Sequence, residues 1–199
     1  QLTLGEVIPG ISEESDTVEF KDTHHSNPNS FRRNNINEYV LKNVAGFLNS
    51  RQGGTLLFGV HDNGRVTGVP FPQGTADSDL WDTWKIAVGT ALRCCGECGG
   101  SPDKRHKMFA SHEIAPSMYK LRRVEVTDMG DPANYVVREN TGQPAGPVDG
   151  QDLYVVALTV QPARFWDPEL VGDCTTWLVK EGQQGGGAAA CTYTKYIRT

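Results

Sequence analysis

The sequence predicts an α+β fold, a mixed sheet with two main helices and β-hairpins, and three observations carry that reading. A short stretch of alternating polarity at Thr17–Lys21 is followed by an apolar recurrence of three and four residues from Ile36. A compact apolar run at Thr55–Val60 then leads into an Asn-Gly turn, and strand-like segments dominate the later half.

Taken in order, residues 1–16 read as an irregular lead-in rich in Gly, Pro and acid. Thr17–Lys21 has the period-two pattern of a half-buried strand. His24–Asn35 is polar, contains Pro28 and reads as a loop. Ile36, Val40, Val44, Phe47 and Leu48 then mark one face of a helix, with Asn34 or Asn35 as its cap and Gly53-Gly54 as its end. Thr55–Val60 is apolar enough for a central strand, and Asn63-Gly64 is a strong hairpin signal. A second helix is expected over Asp79–Arg93, with Leu80, Trp84, Val88 and Leu92 on one face, followed by a loop rich in Gly, Cys and Lys. Further strands are expected at Leu121–Val126, Leu153–Val160, Trp177–Lys180 and Thr192–Arg198. The Pro- and Gly-rich inserts at Thr141–Gly150 and Gly182–Ala190 read as long hairpin loops. Residues 1–199 are therefore taken as a single domain.

Composition narrows the function. A chain of 199 residues can bury a real core, and four Trp with seven Phe argue against disorder. Its apolar runs fall far short of the roughly 20 residues a membrane helix needs, and the opening residues lack a secretory pattern. An odd count of five Cys fits reduced thiols in the cytosol, with the nucleus as a second location. The net charge of −5 disfavours a uniformly basic surface, so any polyanion must be met by local basic patches, by metal or by a partner chain.

Glu14, Glu19 and Asp62 are the candidate chemistry. On a strand, Glu19 and Lys21 share a face, whereas Glu14 lies at an odd offset and joins them only if the chain bends near Ser15-Asp16. Asp62 leaves the end of the apolar strand. Carboxylates that converge repel one another unless a cation compensates them. Oxygen ligands suit Mg²⁺ or Mn²⁺, ions that activate water for attack on a phosphodiester. Lys21 is placed to neutralise charge on the phosphate. Solvated surface acids are the competing reading.

The blocks Glu14-Ser-Asp-Thr-Val-Glu19-Phe-Lys21, Ala45-Gly-Phe-Leu-Asn49-Ser, Gly53-Gly54, Leu57-Phe-Gly59-Val60-His-Asp62 and Gly68 resemble the Schlafen core domain. The clear resemblance covers residues 12 to 69. It implies a Schlafen-type lobe and a metal-dependent endoribonuclease site at Glu14, Glu19 and Asp62. It also implies structured RNA or small-RNA precursors as substrate, with a catalytically silent nucleic-acid-binding or scaffolding module as the alternative. His61 stands where the family has its first hairpin acid. Two such lobes face each other in the larger relatives, so a homodimer or a heteromer with another Schlafen-type chain is expected, and no membrane.

Arg32, Arg33, Lys104, Arg105 and Lys107 are the candidate phosphate contacts, with Lys120, Arg122 and Arg123 as a further basic cluster. Solvated loop and strand-edge residues are the competing reading. Cys94, Cys95 and Cys98, with His106, His112 and remote Cys174, hold enough soft ligands for a structural Zn²⁺. The alternative is reduced cysteines in a surface loop.

Overall fold

The computed structural model describes residues 1–22, 38–82, 84, 92–95, 118–137, 144, 150–165, 176–181 and 192–195. In chain order these form β1 (Leu2–Thr3), β2 (Val18–Lys21), helix α1 (Glu38–Ser50), β3 (Gly54–Phe58) and β4 (Val69–Pro72). A second helix, α2, opens at residue 77, and β5 (Leu92–Cys95), β6 (Tyr119–Asp128), β7 (Gln151–Val160), β8 (Thr176–Glu181) and β9 (Thr192–Lys195) follow. The fold is α+β, as the periodicity predicts. The chain divides into two compact units, one of Gln1–Asn35, Gly54–Leu80 and Lys120–Thr159, the other of Ile36–Gly53, Trp81–Tyr119 and Val160–Thr199.

The first unit is built on a mixed sheet of order β1-β6-β7-β3-β2, with β4 also paired to β7. β2 and β3 run parallel, with Val18 opposite Thr55 and Lys21 opposite Phe58. Parallel neighbours need a crossover, and α1 lies within it. Alternation along β2 sends Phe20 into a core with Leu4, Leu57, Val60, Val66, Val126, Leu153 and Val155. Leu56 and Phe58, on the other face of β3, are buried as well. The apolar run of β3 is thus the mark of a strand covered on both sides.

β4 was hidden by Pro70 and Pro72, which cannot donate to a ladder. They are tolerated because β4 pairs antiparallel with only the first residues of β7, Gln151–Tyr154. The Asn63-Gly64 turn forms as expected, although Val60 and Val66 meet as a single bridge and not as a long hairpin.

In the second unit α1 buries Val40, Leu41, Val44, Ala45, Phe47 and Leu48, the stripe that three-and-four spacing dictates. It lies against β8 of an antiparallel sheet ordered β5-β8-β9. The helix stops differently from expectation. Arg51, not a glycine, takes the left-handed conformation (φ 62°) just past Ser50. Gly53, two residues on, is left-handed as well (φ 78°) and permits a close approach, since a Cβ there would lie 2.5 Å from the Val160 carbonyl oxygen.

The expected helix over Asp79–Arg93 is corrected at its far end. Leu92–Cys95 is strand β5, with Leu92 opposite Val179 and Cys95 opposite Thr176. Pairing with β8 overrides the helical spacing of Leu92. Cys94 and Cys95 accordingly belong to a strand and not to a surface loop. The segments Thr141–Gly150 and Gly182–Ala190 lie almost wholly outside the described residues, as do the final residues of the expected last strand.

Candidate functional site

β2 carries the site. Thr55 donates its N–H to the Thr17 carbonyl at 2.7 Å and Gly59 donates to that of Lys21 at 2.9 Å. Odd-numbered residues of β2 therefore turn their backbone groups toward β3, and even-numbered ones turn theirs to the outer edge of the sheet. At that edge the preceding chain folds back. Ser15 and Val18 exchange backbone hydrogen bonds of 3.0 and 3.2 Å, and the Glu14 carboxylate accepts the Phe20 N–H at 2.7 Å. The bend expected at Ser15-Asp16 is present, and Glu14 thereby stands beside the strand that bears Glu19.

Glu19 and Lys21 share the face opposite Phe20, next to Leu56 and Phe58 on β3. Glu19 is buried, and its Oε1 accepts from Lys21 Nζ at 2.5 Å. Asp22 follows directly. Its Oδ1 accepts from the Thr67 hydroxyl at 2.8 Å, and Thr67 is wholly buried. This carboxylate escaped the sequence reading, because its partner is distant in the chain. Its one signal was its place in the run Glu-Phe-Lys-Asp.

Asp62 sits exposed at the tip of the turn after β3. The turn is held locally: His61 Nδ1 accepts from Asn63 N–H, Asn63 Oδ1 accepts from Arg65 N–H, and Gly64 donates to the His61 carbonyl. Arg65 Nη1 reaches the Gly5 carbonyl at 2.7 Å, and Gly64 accepts from Ile8, so the turn is laced to the lead-in. Gly59 makes the strand exit possible. It has φ 81°, and a Cβ would meet Gly68 backbone at 2.9 Å, so only glycine fits without displacement.

The structure thus pairs Glu19 with Lys21 on one face of β2, sets Glu14 against the outer edge of that strand, and places Asp62 beyond the end of the neighbouring strand. Among the described residues, no three His, Cys, Asp or Glu side chains gather closely enough to hold a metal ion as they stand. In donor chemistry, three carboxylates suit a hard divalent cation such as Mg²⁺ or Mn²⁺.

Arg32, Arg33, Lys104, Arg105 and Lys107 lie outside the described residues, as do Cys98, His106, His112 and Cys174. Within the basic cluster on β6, Lys120 and Arg122 are exposed, whereas Arg123 is engaged. Its Nη1 donates to the Thr75 carbonyl at 2.7 Å, its Nε meets Asp77, and its guanidinium lies 4.7 Å from the Tyr154 ring centre. Arg123 is therefore a packing element that secures the approach to α2. Burial raises the Tyr154 pKa, the Asp152 charge adds to this, and Arg123 opposes it.

Residues 14–89 match the family model described as Schlafen, AlbA_2. The chain carries a Schlafen-like domain. Its matched stretch opens at Glu14, takes in Glu19, Lys21, Asp22 and Asp62, and closes ahead of β5. No curated protein matches the chain. The Schlafen-like domain places the function of this chain among those concerned with nucleic acid.

Proposed function

We propose that the Schlafen-like domain is a metal-dependent endoribonuclease, or a subunit of one, acting on structured RNA or small-RNA precursors. The observation that supports it most is a charged pair in an apolar setting: Glu19, buried on β2, is held by Lys21 one residue from the N–H that Glu14 accepts. Buried charge of this kind is costly to maintain and marks sites where chemistry needs it. Glu14, Glu19 and Asp62 would hold Mg²⁺ or Mn²⁺. When bound, the ion would supply a polarised phosphodiester oxygen and a more acidic water. Lys21 would donate to a non-bridging phosphate oxygen, offsetting the charge that develops during attack. Leu56 and Phe58 keep this face dry, which strengthens both interactions.

A net charge of −5 leaves one lobe poorly equipped to hold a polyanion, whose affinity comes mainly from phosphate contacts. A second Schlafen-type chain, identical or similar, would supply the opposing wall. Arg32, Arg33, Lys104, Arg105 and Lys107, with exposed Lys120 and Arg122, are the proposed phosphate contacts. RNA affinity would then fall steeply with salt. The cytoplasm is the proposed location, with the nucleus as the second. The cysteine and histidine cluster remains a proposal for structural Zn²⁺.

A second reading, a non-catalytic nucleic-acid-binding or scaffolding module, is favoured by the structural employment of both glutamates: Glu14 covers a strand edge and Glu19 neutralises a lysine. Incubating the pure chain with tRNA, in Mn²⁺ or in chelator, separates the two. Cleavage that chelator removes supports the nuclease, and binding without cleavage supports the module.

A further inference from the structure

Glu19 and Lys21 leave only 11% and 19% of their side-chain surface to solvent, and their register neighbours on β3, Leu56 and Phe58, are buried. A carboxylate this withdrawn from water is costly to bury unless a cation lies beside it. We infer that Lys21 is the standing counter-ion of the site: its ammonium occupies Glu19 Oε1 until a divalent ion displaces it. The inference rests on the proposed cation-binding role of Glu19.

The physical reason is competition for one oxygen. An ammonium 2.5 Å from Oε1 and a divalent ion bound to the same oxygen would repel each other strongly in this dry setting. Metal uptake must therefore expel Lys21. Its four-carbon stem lets the ammonium swing to a nearby position, whereas a rigid guanidinium fork would not yield so readily. The expelled ammonium is then free to meet an anionic phosphate. Two properties follow. The domain stays folded without metal because the lysine substitutes for it, and metal affinity is held down by a residue that need not be a ligand. Lys21 is in this respect a positioning residue.

Titrating Mn²⁺ calorimetrically into the full chain, as wild type, Lys21→Met, Lys21→Arg and Glu19→Gln, tests this. Lys21→Met keeps the apolar stem and removes the charge. It should bind Mn²⁺ about tenfold more tightly than wild type, melt lower in chelator, and recover in Mn²⁺. Lys21→Arg, able to grip the carboxylate with two parallel bonds, should bind Mn²⁺ more weakly. If Lys21→Met fails to fold in chelator, the arginine variant decides: affinity equal to or above wild type overturns the inference. Equal affinities for wild type and Lys21→Met, with binding abolished in Glu19→Gln, would sink the lysine's role and leave the metal site standing. Absence of Mn²⁺ binding in every variant would overturn both.

Discussion

Phe20 donates its backbone N–H to the Glu14 carboxylate at 2.7 Å, on the side of β2 turned away from β3. A strand edge offers unpaired donors to any passing chain, and a charged side chain laid across it blocks that pairing. Glu14 thus has a structural task that is independent of any chemistry.

Glu14→Ala should cost about 1 kcal/mol, the net worth of a hydrogen bond at a partly exposed position. Glu14→Gln keeps an acceptor oxygen and should melt close to wild type, while losing any Mn²⁺-dependent cleavage. Thermal melts set beside tRNA cleavage by both variants check this. Equal loss of stability in the two would show that the charge, and not the acceptor, holds the edge.

Glu19 and Asp62 should part company on stability. Glu19→Ala removes the carboxylate paired with a mostly buried Lys21 and should cost about 2 kcal/mol. Asp62→Asn, at an exposed turn tip, should stay within about 0.5 kcal/mol. Both should abolish cleavage under the proposed function. Denaturant unfolding of the two variants gives the comparison, and an Asp62→Asn variant as unstable as Glu19→Ala would assign Asp62 a folding role.

Gly59→Ala should cost at least about 2 kcal/mol, since it combines a left-handed backbone with a backbone clash at Gly68. Gly74, with φ 80° but nothing within 4 Å of a Cβ, should tolerate alanine better. Matched melts of the pair separate the steric part from the conformational part, and identical losses would remove the close approach as a cause.

Burial raises the Tyr119 hydroxyl above its ordinary value of 10.0, because phenolate cannot be hydrated in the core. A raised folded value leaves stability intact below the unfolded value and removes it as pH climbs toward the folded one. The wild type should therefore lose stability above about pH 10, and Tyr119→Phe should lose less. The difference in melting temperature between the two proteins, followed from pH 8 to pH 11, should move in favour of the variant. A constant difference would mean that Tyr119 ionises as readily folded as unfolded.

What could be read from residues alone was what depends on neighbours in the chain. α1 announced itself because Val40, Val44, Phe47 and Leu48 recur at helical spacing, and β3 because its apolar run is covered on both faces. The pairing of Asp22 with Thr67 could not be read, since only the fold brings them together. Nor could the edge contact of Glu14, which depends on a backbone bend that turns a carboxylate toward a peptide N–H. β5 was missed because Leu92 continues the apolar spacing of α2, and only its ladder with β8 makes it a strand. Arg123 looked like its basic neighbours, yet Tyr154 and the Thr75 carbonyl claim it.

The parallel register of β2 with β3 has a kinetic corollary. The two strands meet only after the whole intervening crossover has been laid down, so the chain pays loop-closure entropy before Glu19 and Lys21 find their apolar neighbours. Among the described residues, β2 is bonded to the sheet through β3, with Glu14 and Ser15 as its outer clasp. Such a strand belongs among the last to lock during folding and the first to open in native-state fluctuations. Amides of Glu19 and Lys21 should accordingly exchange with solvent faster than those of Val155 and Val156 in β7, and any cation held at β2 would slow them first.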